Sequence, residues 1–204
     1  MLLRILDLAG VGVFAISGAL AAGRKSLDLL GVVVIALVTS IGVGTLRDIL
    51  LNRPPFWLDD ALFISIIVGA ALATVVVVRF MPPPEKILQL ADAFGLALFA
   101  ISGAQIAEQA ALPGTTIVVM ATITAVFGGV LRDVLCAEIP MILRKGNIYA
   151  TAVIAGASLY VLLQMAGLAR EAAAGAGMAA IALLRIAAIY FNLSLPVFSL
   201  RDRG

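Results

Sequence analysis

The sequence predicts an all-α membrane protein of seven transmembrane helices, built as a 3+3 inverted-topology repeat with a seventh helix added. Three observations predict it. First, the 204-residue chain is 63% hydrophobic and 13% charged, with a mean hydropathy of +1.15. Soluble domains carry about 25% charged residues, so this polar surface is too small to cover a soluble globule. Second, a span needs about 20 mostly apolar residues. Seven segments qualify, at about 3–22, 30–50, 61–80, 91–109, 115–135, 147–167 and 176–196. Third, the chain is a duplication. Phe14-Ala15-Ile16-Ser17-Gly18-Ala19 recurs as Phe99-Ala100-Ile101-Ser102-Gly103-Ala104, 85 residues on. Gly44-x-Leu46-Arg47-Asp48-x-Leu50 recurs at the same offset as Gly129-x-Leu131-Arg132-Asp133-x-Leu135. Laid together without a gap, residues 7–55 and 92–140 are identical at 20 of 49 positions.

The first span follows Arg4 and ends in small residues, a pattern shared with signal peptides. Its Phe-Ala-Ile-Ser-Gly-Ala block is also kept deep inside the chain, so residues 1–23 are expected to be a retained span. Spans one to three form the first repeat, residues 1–81. Pro82-Pro83-Pro84 with Glu85 and Lys86 opens the linker, 82–90, and spans four to six form the second repeat, 91–168. Three spans per copy is an odd number, so the second copy must enter the membrane from the opposite side. The charges agree: Asp59-Asp60 stand at the repeat position of Arg144-Lys145, and Arg24-Lys25 at that of Gln109-Ala110. One side collects Arg24, Lys25, Arg79, Lys86, Arg144, Lys145, Arg201 and Arg203. The other collects Arg4, Arg53 and Arg170. The positive-inside rule makes the first side cytoplasmic, with the N-terminus outside and the C-terminus inside a bacterial-type inner membrane. Residues 169–204 hold the unduplicated seventh helix and a tail. The small residues at 172–180 suit close helix packing in lipid.

Composition narrows function. There is no His, which removes the commonest metal ligand and near-neutral proton shuttle. One cysteine, Cys136, allows neither an intrachain disulfide nor a thiolate cluster. No Walker loop, nucleophile elbow or zincin helix is found. A net charge of +2 is too small to imply a nucleic-acid partner. An enzyme, a cofactor and a bound metal are therefore not expected.

The copied motifs carry the functional expectation. In the second span Thr39 and Ser40 precede Gly42 and Gly44, and Arg47-Asp48 follow. In the fifth, Thr122 and Thr124 precede Gly128 and Gly129, and Arg132-Asp133 follow. Glycine weakens a helix and permits a kink or broken turn. Freed carbonyls in lipid must be satisfied or line a water-filled path. Such carbonyls, with threonine hydroxyls, can replace a cation's hydration shell. Close packing is the competing use of the glycines. A charge near the hydrocarbon costs about 2.5–3.5 kcal/mol on insertion scales, so the Arg-Asp pairs are expected to structure two mouths of a path. Snorkelling arginines neutralised by their aspartates are the structural alternative.

Arg185 lies near the middle of the seventh span. It either faces a water-filled cavity and tunes conduction, or bonds carbonyls freed at the glycine breaks. Asn192 is expected to bond between helices. Ser17 and Ser102 are expected to pack tightly, Trp57 to anchor at the interface, and Gln105 and Glu108 to lie near the outer surface.

The doubled Phe-Ala-x-Ser-Gly-Ala and Gly-x-Leu-Arg-Asp-x-Leu motifs, in seven spans, resemble the prokaryotic trimeric intracellular cation (TRIC) channel family. That family also includes bacterial proteins described as transporters of small amino acids, chiefly glycine. The resemblance implies a homotrimer with one pore per protomer, lined by kinked second and fifth helices. It implies conduction of potassium and other monovalent cations such as sodium, bound only in transit. By position, the kink glycines are Gly42, Gly44, Gly128 and Gly129, and the pore-mouth pairs Arg47-Asp48 and Arg132-Asp133. The lysine-containing signature of the animal members is absent as such. Membrane lipids are the remaining expected partner. The expected function is a potassium-permeable cation channel, with a secondary transporter of a small zwitterion such as glycine as the alternative.

Overall fold

A computed structural model describes residues 2–84 and 86–196. Glu85, Arg201 and Arg203 lie outside the described residues. The described chain forms seven α-helices: α1 (Leu2–Arg24), α2 (Leu29–Leu50), α3 (Ala61–Phe80), α4 (Ile87–Gln109), α5 (Gly114–Leu135), α6 (Ala150–Met165) and α7 (Arg170–Phe191). One 3-10 turn, Met141–Leu143, precedes α6. The helix boundaries follow local chemistry. Asp28 caps α2 by accepting a bond from the Gly31 amide at 2.7 Å, and Asp60 caps α3 through the Leu62 amide at 3.1 Å. The ends of α1 and α4 turn through Ser26 and Ala111, both near φ 54°, and the ends of α2 and α5 through Asn52 and Ala137, both at φ 53°. Each pair is separated by the repeat offset, so the copies stop their helices the same way.

Among the described residues, six helices are long and apolar enough to cross a membrane. The remaining helix, α6, falls within the expected span over about 147–167 and is apolar but shorter. It has 16 residues, about 24 Å at 1.5 Å per residue, against a hydrocarbon thickness of about 30 Å. The chain before it is spent on the 3-10 turn and on a loop that buries Tyr149.

The copies meet through α1 and α4. Phe14 and Phe99 stack with ring centroids 5.5 Å apart. Each ring lies over the glycine that precedes the other by four residues. A Cβ on Gly10 would stand 2.7 Å from the Phe99 ring, and one on Gly95 2.8 Å from the Phe14 ring. Lys25, at the end of α1, and Gln89, at the start of α4, line one cavity, so the two helices run antiparallel. This is the inverted arrangement. α3 packs on α1, whereas α4 is covered by α7, which separates it from much of α6. The small residues of α7 serve packing: Ala173, Ala174 and Gly177 are buried, and a Cβ on Gly177 would meet Ile101 and the Gly156 carbonyl.

Ion pairs sort the loops onto two faces. Arg4 bonds Asp60, and Arg170 bonds Glu108, on one. Lys25 bonds Glu138, and Lys86 donates to the Ile189 carbonyl, on the other. The second face carries Arg24, Lys25, Lys86, Arg144 and Lys145.

Candidate functional site

Both copied arginines are buried, Arg47 at 1% exposure and Arg132 at 0%. Of the snorkelling alternative, the pairing with Asp48 and Asp133 is seen, but not the reach to the interface. Each arginine is held inside the protein by two carboxylates. Arg47 donates from Nε to Asp48 Oδ1 at 2.9 Å and from Nη2 to Asp48 Oδ2 at 3.1 Å. Its Nη1 lies 3.5 Å from Asp7 Oδ1. Arg132 donates from Nε to Asp133 Oδ1 at 2.9 Å and from Nη1 to Asp92 Oδ1 at 2.6 Å.

Asp7 and Asp92 were not among the expected site residues. They occupy one repeat position, 85 residues apart, and Asp92 is fully buried. A carboxylate in low dielectric is stable only when paired, and the arginines supply the pairing. Formally each cluster sums to one negative charge, +1 from the arginine and −2 from its two aspartates.

The serines correct a second expectation. Ser102 Oγ, on α4, accepts from Arg47 Nη1 at 3.1 Å and donates to Asp7 Oδ1 at 2.5 Å. Ser17 Oγ, on α1, accepts from Arg132 Nη1 at 2.5 Å. Each arginine thus takes its serine from the opposite copy. The outer aspartates tie back the loops that follow. Asp48 accepts from the Phe56 amide at 2.9 Å, and Asp133 from the Met141 amide at 2.8 Å.

A kink or broken turn, or close packing, is the expected use of the glycines. α2 and α5 are helical without interruption across Gly42, Gly44, Gly128 and Gly129. What the glycines permit here is close approach. A Cβ on Gly128 would collide with the Thr39 carbonyl and the Val43 side chain of α2. One on Gly42 would stand 2.5 Å from Leu131 Cδ1 of α5. Gly44 lies under Phe56, and Gly129 under the Tyr149 hydroxyl. α2 and α5 therefore pack closely at Gly128, against the Thr39 carbonyl and the Val43 side chain.

The hydroxyls are satisfied within this packing. Thr39 and Thr124 donate to the Ile35 and Met120 carbonyls at 2.6 Å each, and Thr122 donates to Val118 at 2.8 Å. Ser40 donates across to the Val11 carbonyl of α1 at 3.0 Å. A hydroxyl that donates to its own helix keeps its acceptor lone pairs. Thr39 and Thr124 are buried, and Thr122 is partly exposed.

Arg185 is 2% exposed and sits at the end of α7 nearest the basic face. Its Nη1 donates to Asn147 Oδ1 at 3.0 Å and to the Ile148 carbonyl at 2.7 Å. Its guanidinium covers the Tyr149 ring at 4.8 Å. The carbonyl it uses belongs to the loop before α6, not to a glycine break. Through Tyr149, which borders Gly129 and Asp92, it abuts the Arg132 cluster. Asn192 is the left-handed C-cap of α7, at φ 51°, rather than a bond between helices. Trp57 donates to Thr45 Oγ1 at 2.9 Å. Gln105 is buried, and Glu108 accepts from Tyr160 and Gln164. Beside Asp133, a cavity of about 180 Å³ opens among Arg24, Lys25, Cys136, Glu138 and Arg144.

A family model described as "Glycine transporter" matches residues 4–79 and again 89–165, one match per copy. The TRIC channel orthologue from Rhodobacter sphaeroides is 40% identical and superposes with a TM-score of 0.88, over 94% of this chain and 98% of that one. The chain belongs to the prokaryotic TRIC channel family. A second TRIC structure, solved in 0.5 M KCl, is 34% identical with a TM-score of 0.89, over 96% and 99% of the two chains. The inner membrane protein YadS of Escherichia coli (strain K12) is 41% identical over 208 residues, the whole of both chains. Like those TRIC relatives, this chain is an integral membrane protein.

Proposed function

We propose that this TRIC-family chain conducts monovalent cations, potassium and sodium among them, through one path per protomer between α2 and α5. The observation that carries the proposal is the double carboxylate on each buried arginine. An arginine alone at a mouth would repel potassium. With two aspartates each cluster is net negative, and a cation is attracted to both ends. Solved relatives described as cation channels support the same reading.

The close contact at Gly128 must open for ions to pass. Gly42, Gly44, Gly128 and Gly129 are the positions where α2 and α5 can bend apart. Separation would turn the Thr39, Ser40, Thr122 and Thr124 oxygens toward the path, where lone pairs can replace part of a hydration shell. Asp48 and Asp133 hold the mouths, and Arg185 tunes the inner one through Tyr149. The chain acts as a homotrimer, with its basic face in the cytoplasm and its N-terminus outside the inner membrane.

The family model's description favours a second reading, transport of glycine. It needs a half-helix N-terminus for the substrate carboxylate, and α2 and α5 are unbroken. Purified protein in a planar bilayer under a potassium gradient separates the two. Discrete unitary currents reversing near the potassium potential are expected. Silent bilayers with saturable glycine uptake into liposomes would reverse the choice. Neutralising Arg132 should change unitary conductance or open probability, and unchanged currents would remove it from the path.

A further inference from the structure

A second cavity lies on the basic face, beside the C-terminal end of α7 and apart from the α2–α5 line. It measures about 280 Å³. Its charged lining is Arg144, Lys145 and Arg185, and its amides are Gln89, Asn147 and Asn192. None of its described lining residues is acidic. The neighbouring cavity at Asp133 differs, because it mixes Asp133 and Glu138 with its cations.

The cavity is a built structure. Asn147 donates to the Met141 carbonyl at 3.0 Å, and its Oδ1 accepts from Arg185. Residues 147 and 194 form an antiparallel bridge, and Leu195 donates to the Gly146 carbonyl at 2.9 Å. The lining loop is thus tied to the segment after α7. Arg185 is nearly fully buried, yet its Nε has no hydrogen-bond partner. Held by Asn147 and the Ile148 carbonyl, Arg185 places a fixed positive charge in the cavity wall. Arg144 bonds the Ile139 carbonyl and reaches Glu138 at 3.7 Å, so part of its charge is used, while Lys145 is exposed.

We propose that this cavity binds a phosphate group. Three cations and several amide donors without a lining carboxylate suit a multiply charged oxyanion, and guanidinium donors match its geometry. The ligand is inorganic phosphate or the phosphate of an anionic lipid headgroup. The site shares Arg185 with the inner charge cluster, so its test reads binding rather than current.

The full-length protein is placed in phosphatidylcholine nanodiscs, and inorganic phosphate is titrated calorimetrically at constant ionic strength. Saturable binding is expected. Lys145→Gln and Arg144→Gln, both exposed, should each weaken it about tenfold, the order of one charge-assisted bond. Arg79→Gln, on the same face but outside the cavity, should leave it unchanged. In nanodiscs containing phosphatidylglycerol, a loss of apparent phosphate affinity that disappears in Lys145→Gln identifies the headgroup as occupant. Equal affinity in both nanodiscs identifies free phosphate. Absence of saturable binding, or equal weakening by all three variants, overturns the site.

Discussion

Arg47 and Arg132 are copies of one residue in two settings. Arg47 meets its second carboxylate, Asp7, at 3.5 Å with Ser102 bonded between them, and its open face lies 5.5 Å from the Phe56 ring. Arg132 meets Asp92 directly at 2.6 Å, and Tyr149 with Arg185 stand behind it. The duplicated helices α1, α2, α4 and α5 supply everything the two clusters share. The difference comes from what is not duplicated, α7 and the long loop before α6. One end of the molecule is a self-contained lock, and the other is attached to an extra helix. A duplicated frame can thus carry one end braced by an extra helix while both ends keep the same arginine–carboxylate pairing.

The largest expected break in this comparison is Asp92→Asn against Asp7→Asn. Removing one partner of a buried pair costs about 3–5 kcal/mol. Asp92, closer and fully buried, should approach that figure, and Asp7 should cost clearly less. Thermal unfolding in detergent checks the order, and equal losses would mean the two ends are energetically alike.

Next is the serine exchange. Ser17→Ala removes an acceptor from Arg132 in the other copy, and Ser102→Ala removes one from Arg47. Hydrogen bonds to charged groups are worth about 1.5–3 kcal/mol. A double-mutant cycle should couple Ser17 with Asp92, and leave Ser17 and Asp7 additive. Coupling within a copy instead of across copies would contradict the crossed arrangement.

The glycines should also differ. In Gly128→Ala the new methyl meets a backbone carbonyl, which cannot swing aside, and overpacking of this kind costs about 1–3 kcal/mol. In Gly42→Ala it meets only the end of Leu131, which can rotate. Unfolding midpoints should fall further for Gly128→Ala, and current recordings should show altered gating in that variant first.

The smallest effect belongs to the Lys25–Glu138 bridge, which lies beside Asp133 and has no counterpart at Asp48 among the described ion pairs. The Lys25 ammonium holds the Glu138 carboxyl below its ordinary range. A lowered carboxylate stabilises the fold at neutral pH, and the contribution disappears as pH falls through that lowered value. Glu138→Gln should therefore melt slightly lower than the parent at pH 7 and in low salt, with the gap closing in acid. A gap that widened in acid would reverse the assignment.

Much of this was legible because hydropathy and a fixed offset report helices and their pairing directly. Asp92 and Asp7 were in view, as the first column of the aligned copies. A carboxylate one or two turns into an apolar helix resembles a solvated helix end until its arginine is seen, and that arginine lies 40 residues away in sequence. The serine crossing depends on where α1 and α4 cross, which no local pattern records. The tie from Arg185 to Tyr149 joins segments that the repeat does not relate. The glycines carried a true signal of close approach, but a short spacing cannot distinguish a broken turn from a neighbour pressed against an intact one.

The exchange of serines and the crossed Phe14–Phe99 stack have a consequence for the origin of the chain. A three-helix ancestor could not have completed its own arginine site. Its serine would have pointed at another molecule lying the opposite way up. Such a half-length protein would have been whole only as an antiparallel couple, with members inserted in both orientations at once. Within one chain, the two halves complete each other's arginine sites while their matching loops differ in charge.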